Sequence, residues 1–269
     1  MPELPEVETV VRTLESQIQD CRIEDISIRY AKIIDGDPEE FKQVLTGQCF
    51  RGFSRRGKYL LFYMDDVLFV SHLRMEGKFF LKDPDEPYSK HEHVCFLLDN
   101  GKELRYHDTR KFGRMELLDK ETDLTSFHGL GPEPFDEAFN QEYIHRFIKG
   151  KRTKMKSLLL DQSFVAGIGN IYADEILFAC GIRPGRSCAY LSKAEEEAII
   201  SETRHILRRA IAAGGTTIRT YTSSLGVTGL FQLECNVHEQ KVCRKCGSNI
   251  KMKWIGGRSS YYCPVCQKR

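Results

Sequence analysis

Val7, Val10, Val11, Leu14 and Ile18 recur at the i, i+3, i+4, i+7 spacing of a helix with one apolar face, so the chain opens on an amphipathic helix led by Pro5. Over residues 21–118 the period changes. Short β-branched and aromatic runs, such as 59–64 and 94–98, are broken by Gly, Asp and Asn and predict sequential antiparallel strands, with Asp99-Asn100-Gly101 as a turn between two of them. This half is expected to be a β-sandwich with few helices. Gly129-Leu130-Gly131-Pro132-Glu133-Pro134 is rich in breakers and marks a domain boundary. Beyond it, helical periods run over about 136–149, 153–161, 170–180 and 192–213. The connection 161–170 is long for a helix hairpin and ends on two glycines and Asn170, a residue suited to capping. It reads equally as a plain inter-helix turn or as a place where phosphate docks on helix N–H groups.

Composition adds limits more than answers. With 269 residues, 41% hydrophobic and 29% charged, the chain has the make-up of a soluble protein with one large or two ordinary domains. Its start is polar and acidic where a secretory signal would be basic and then apolar, and no apolar run approaches the roughly 18 residues of a membrane span. Ten cysteines in such a chain argue for reduced thiols and a metal site, and for an intracellular protein.

The tail is the most specific signal from spacing. Cys243-x2-Cys246 and Cys263-x2-Cys266 stand sixteen residues apart, which suits four thiolates on one Zn²⁺, held by two knuckles flanking a hairpin. Cys235 and His238 lie just upstream as alternative ligands, although the symmetric pair of knuckles is simpler. Cys21, Cys49, Cys95, Cys180 and Cys188 lack such partners and read as small buried hydrophobes. Residues 241–269 contain eight Lys or Arg and no acidic residue. Two further basic groups, Arg51/Arg55/Arg56/Lys58 and Arg146/Lys149/Lys151/Arg152/Lys154/Lys156, could each be a solvated face. A net charge of +2 does not announce a nucleic-acid partner, but three clusters spread over both halves fit one long anionic ligand.

The first residues admit two readings. Pro5 with Glu6 and Glu8 is an ordinary helix start, with acids in the positive first turn. Alternatively, loss of Met1 leaves Pro2 as a secondary amine beside Glu3. An α-amino pKa of about 7.7–8.0 makes such a group partly unprotonated near neutral pH, hence a usable nucleophile.

These residues together resemble bacterial formamidopyrimidine-DNA glycosylase. The resemblance is carried by Pro2-Glu3-Leu4-Pro5-Glu6-Val7-Glu8-Thr9, Arg55-Arg56-Gly57-Lys58-Tyr59-Leu60, Ser71-His72-Leu73-Arg74-Met75-Glu76-Gly77-Lys78, Asp108-Thr109-Arg110-Lys111-Phe112-Gly113, residues 166–175 and Cys263-Pro264-Val265-Cys266-Gln267-Lys268, nearly the whole length in order. It implies an α+β multidomain fold: an N-terminal β-sandwich catalytic domain with an N-terminal helix (1–130), a helix-two-turn-helix DNA-binding domain (131–230) and a four-cysteine zinc finger on a β-hairpin (231–269).

It also implies a monomeric, cytoplasmic base-excision enzyme that removes 8-oxoguanine and formamidopyrimidines from double-stranded DNA. Its AP lyase step would pass through a Pro2 Schiff base and β,δ-elimination, with one structural zinc on Cys243, Cys246, Cys263 and Cys266. Glu3 would be general acid and base, Glu6 a supporting carboxylate, and Lys58 and Arg258 the cations for the two eliminations. Met75, Arg110 and Phe112 would fill the hole left by the flipped nucleotide, His72, His91, Lys151 and Asn170 would hold phosphates, and the loop 216–229 would close over the base. The chain departs from the family at Val237-His238-Glu239-Gln240, where a Val-Tyr-Gly-Arg segment is usual and the approach to Cys243 is two residues shorter. Two other readings are an oxidised-pyrimidine enzyme resembling endonuclease VIII and a non-catalytic zinc protein that only binds nucleic acid.

Overall fold

The computed structural model describes residues 1–125, 127–216 and 229–268. They form two compact units. The first is built from Met1–Asp123 with the described ends of Gly214–Gly229, the second from Leu124–Ala213 and Leu230–Arg269.

In the first unit α1 (Leu4–Ile18) starts in a reciprocal capping box: the Glu3 side chain takes the Glu6 N–H, and the Glu6 carboxylate takes the Glu3 N–H at 2.8 Å. Its buried stripe is the one the spacing predicts, from Val7 to Ile18. Two four-stranded antiparallel sheets follow. One has the order β1 (Ile23–Ile28), β6 (Glu92–Leu98), β7 (Glu103–His107), β5 (Lys78–Lys82). The other runs β2 (Gly52–Arg56), β3 (Tyr59–Tyr63), β4 (Val67–His72), β8 (Arg114–Asp119). Their shared core is aromatic: Phe62 stacks on Phe69 at 4.9 Å, and Phe41 meets Phe69 edge-on at 5.5 Å. Phe41 comes from a second helix, α2 (Pro38–Leu45). Asp37 starts it by accepting the N–H groups of Glu39 and Glu40.

The second unit holds α3 (Gln141–Ile148), α4 (Met155–Leu160), α5 (Asn170–Ala179), α6 (Lys193–Ala212) and the hairpin β9 (Lys251–Ile255)/β10 (Arg258–Tyr262). All four helices stand where the periods place them, with tighter ends. The first begins five residues late because Asn140 caps it, accepting the Tyr143 N–H at 2.9 Å. Asn170 is not a cap: Gly169 takes that position and Asn170 is the first helical residue. The stretch 129–134 packs onto the connection between α4 and α5. Gly131 donates to the Gln162 carbonyl at 2.8 Å, and a Cβ there would lie 2.4 Å from the Ser163 carbonyl oxygen. Among the described residues no helix is long and apolar enough to cross a membrane.

Candidate active site

The chain start is enclosed by charge. Pro2, Glu3 and Glu6 are buried, and Lys58, at the tip of the β2–β3 hairpin, is only 6% exposed. That hairpin turns on two residues, Gly57-Lys58, and the left-handed φ of +56° at Gly57 is what so tight a turn requires. Burial pushes the terminal ammonium of Met1 below its ordinary value. Glu3 and Glu6 oppose this, Lys58 adds to it and Glu76 opposes it. All four groups are therefore close enough to act on the terminus. Glu6 is fixed from the other side by Thr216, whose N–H and hydroxyl donate to Oε1 at 2.8 and 3.0 Å. Residues 217–228 of the loop expected to cover the base lie outside the described residues. Arg55 and Glu8, which the sequence also offers, are tied up: Glu8 bridges Arg55 and Arg12 at 2.9 Å each.

A second group gathers on the same unit. Met75 stands on the turn between β4 and β5, and Arg110 and Phe112 on the loop between β7 and β8. The two segments are joined by a hydrogen bond from Thr109 to the Glu76 carboxylate. They also meet at the Tyr106 hydroxyl, which a Cβ on Gly77 or Gly113 would strike at 2.3 or 1.7 Å. Phe112 is 49% exposed, with the Arg110 guanidinium 4.7 Å from its ring centre. An exposed apolar ring backed by a cation can enter a base stack.

His72 accepts the Arg74 N–H on Nδ1 at 2.9 Å, which puts the proton of the neutral ring on Nε2. His91 borders the loop through its carbonyl, bonded by the Asp108 N–H at 2.9 Å.

The organiser of that loop is a residue the sequence reading passed over. Asp108 is fully buried, and its carboxylate accepts the N–H groups of Arg110, Phe112 and Gly113, each at 2.9 Å. The Asp-Thr-Arg run is an Asx-turn signal that would have found it. Asp108→Asn leaves one carbonyl oxygen for three donors. It is expected to lower unfolding stability by about 1–3 kcal/mol in a urea titration. An unchanged midpoint with unchanged slope would show that the loop is held by other means.

In the second unit Lys151 is exposed, over the Phe147 ring, and Asn170 donates from Nδ2 to the Ser259 hydroxyl at 3.3 Å, beside the exposed Arg258. The segment that departs from the family is anchored to α5. Glu175 accepts the N–H groups of Asn236, Val237 and His238, and Asp174 binds both Lys156 (2.6 Å) and His238 Nδ1 (2.8 Å). His238 is thus engaged by a carboxylate, and neither it nor Cys235 joins the cysteine group.

The four sulfurs of Cys243, Cys246, Cys263 and Cys266 all lie within 4.8 Å of one another. A tetrahedral Zn²⁺ with Zn–S of about 2.3 Å sets its ligands about 3.8 Å apart, so these residues fit one structural zinc. Two of the sulfur pairs, at 3.9 and 3.5 Å, bracket that spacing. Ser248 pulls the Cys246 thiol down to about 6, whereas burial pushes Cys243 and Cys266 up. A cation among them removes that conflict, since thiolates are the ligands. Cys95, by contrast, is pushed by burial up to about 12, an inert core thiol.

Three family models match: the formamidopyrimidine-DNA glycosylase N-terminal domain over 1–115, its H2TH domain over 130–222, and a zinc finger found in FPG and IleRS over 240–269. A formamidopyrimidine-DNA glycosylase of Bacillus licheniformis is 46% identical over the whole of both chains, and one of Streptococcus pneumoniae is 44% identical over the same span. Among solved structures, wild-type Lactococcus lactis Fpg in complex with N7-benzyl-Fapy-dG containing DNA has a TM-score of 0.94, 39% identity and full coverage of both chains. The same protein in complex with an abasic site containing DNA has a TM-score of 0.94 and 40% identity, covering 99% of this chain and 100% of that one.

Proposed function

Because this chain belongs to the formamidopyrimidine-DNA glycosylase family, we propose that Pro2 is its nucleophile and that the groups around the chain start carry its chemistry. The protein is a DNA glycosylase with AP lyase activity, acting in base excision repair on oxidised purines in duplex DNA, and it carries one structural zinc. The observation that most supports Pro2 is its burial along with Glu3, Glu6 and Lys58, whose charges act on the chain terminus. With Met1 in place the Pro2 nitrogen is an amide; removal of Met1 frees a secondary amine.

The damaged nucleotide leaves the stack, because its C1′ is out of reach within it. The Pro2 nitrogen attacks C1′ and gives up its proton, the base departs with a proton from an acid, and the sugar ring opens as the C1′–O4′ bond breaks and O4′ is protonated, leaving an iminium as electron sink. Glu3 serves as that acid and then as base toward the sugar, and Glu6 holds the Glu3 backbone. Loss of a C2′ proton expels the 3′ phosphate, and a second elimination expels the 5′ phosphate. Lys58 and Arg258 stabilise the departing anions.

Met75, Arg110 and Phe112 take the vacated place in the duplex, the guanidinium facing the orphaned base, while His72, His91, Lys151 and Asn170 bind phosphates. The family ranges support a division into a catalytic domain (1–130), a DNA-binding domain (131–230) and a finger (231–269). Its workplace on this reading is the bacterial cytoplasm, on nucleoid DNA.

Borohydride reduction tests the reading. A zinc-loaded chain whose N-terminal peptide mass shows Met1 removed is incubated with duplexes carrying 8-oxoguanine, a formamidopyrimidine or thymine glycol. The expected result is a stable protein–DNA crosslink, formed fastest on the two oxidised purines. Absence of any crosslink overturns the Pro2 assignment, and a preference for thymine glycol overturns the substrate class.

A further inference from the structure

The β9–β10 hairpin has two unlike faces. Its register pairs Ile255 with Arg258, Trp254 with Ser259, Lys253 with Ser260 and Met252 with Tyr261. Ile255, Ser260 and Tyr262 point inward and are buried. On the opposite face Trp254 is 70% exposed and Met252 47% exposed. Among the described residues Trp254 takes part in no ring or cation contact, so an indole able to bury some 200 Å² contributes little to the fold.

Its surroundings point to one kind of occupant. Lys251 and Lys253 alternate with Met252 and Trp254 and so project from the other face of the strand, while residues 241–269 contain no acid that would repel an anionic strand laid on the indole. An exposed aromatic platform on a basic, acid-free hairpin is what a nucleic-acid strand meets on proteins that stack its bases. The face is also continuous with the proposed phosphate-binding residues. Ser259, opposite Trp254, receives the Asn170 amide, whose buried Oδ1 has no hydrogen-bond partner among the described residues. Trp254 and Ser259 stand directly opposite each other on one face, where cross-strand Cβ atoms lie about 5 Å apart, less than the step between nucleotides, so a phosphate held at Asn170 brings the adjoining base within reach of the indole.

On the functional reading above, on which this step rests, we propose that Trp254 stacks on the base next to the phosphate held at Asn170, and that it holds the reaction product most strongly. In an unbroken duplex each base has both faces covered by its neighbours. β,δ-Elimination removes one nucleoside and leaves a one-nucleotide gap, whose two flanking bases each expose a face. Trp254 thus provides a platform for the gapped product, protecting the ends until the next enzyme takes them.

Trp254 is the only tryptophan of the chain, so its emission reports on this contact alone. The full zinc-loaded protein is titrated with a one-nucleotide gapped duplex bearing phosphates at both ends and with an unbroken duplex, saturation being followed by anisotropy of labelled DNA. Emission is expected to be quenched at saturation, more by the gap. Trp254→Ala is expected to weaken binding of the gapped duplex roughly 5- to 140-fold, the ratio that base–aromatic stacking supplies, and Trp254→Phe to recover much of it. Unquenched emission at saturating gapped duplex overturns the proposal and leaves the face to a protein partner; undiminished affinity of Trp254→Ala overturns it as well. Crosslinking of the wild-type chain separates the two levels. If borohydride traps lesion DNA while the emission stays constant, only this inference fails; if nothing is trapped, the reading beneath it fails.

Discussion

Glu3→Gln is expected to slow excision of 8-oxoguanine by about 10²–10⁴-fold, the range of a lost general acid and base, while the thermal midpoint hardly moves. The two halves of that statement come from one feature. Glu3 is the N-terminal cap of α1 and also the carboxylate beside the terminal nitrogen. A glutamine oxygen still accepts the Glu6 N–H, so the capping box closes and the cap's worth of about 1 kcal/mol is kept. An amide cannot cycle a proton, so the chemistry is lost. Glu3→Ala removes both, and only that variant should melt earlier. On a duplex already lacking the base, the departure that Glu3 assists has happened, and the deficit of Glu3→Gln should shrink.

Single-turnover excision and a melting curve on the same preparation decide the matter: equal rates for wild type and Glu3→Gln would reduce Glu3 to a cap. The amine adds a pH signature. An α-amino group has an ordinary pKa of about 7.7–8.0, so crosslinking should fail on the acid side as the amine protonates.

Local pattern carried most of the fold. The α1 stripe, the strand texture and the four later helices follow from period, because each is settled by neighbours in sequence. Helix ends were set by caps that the period alone overran, as at Asn140, and α2 was hidden because Asp37-Pro38 interrupts a strand-like stretch for only eight residues. Strand order was not legible: β1 pairs with β6 across some seventy residues, a choice made by the whole core.

The site divides in the same way. Four cysteines at knuckle spacing declare a metal by themselves. Pro2 and Glu3 are indistinguishable from a helix start until the resemblance places them. Asp108 and Glu175 escaped notice because their partners are backbone N–H groups, which carry no residue type to read. His238 could have been a metal ligand from its position; only the contact with Asp174, sixty-four residues away, assigns it elsewhere.

That contact bears on what zinc does. Stripping the metal, by chelation or by Cys263→Ser, is expected to weaken binding of a lesion duplex about 10²-fold or more, because the basic residues of 241–269 are then no longer held as one surface. The apolar cluster at the metal site is small: Val237, Cys243 and Cys263 are its buried members, with Phe178, Ile250, Tyr261 and Cys266 packed around them. Two of those three are metal ligands, so the folding free energy must come from zinc, which supplies about 10–16 kcal/mol in isolated fingers.

Damage should spread inward through α5. Glu175 is 2% exposed and Asp174 fully buried, and both lose donors when the segment 236–238 leaves, so the second unit should lose stability beyond the hairpin itself. The first unit shares none of these bonds and has its own aromatic core, so it should keep its hydrogen-exchange protection while duplex binding is gone. Anisotropy with lesion DNA and exchange measured on one zinc-free sample check both parts. Undiminished affinity would mean that the finger is not needed to hold DNA, and simultaneous loss of protection in both units would mean that their stabilities are coupled.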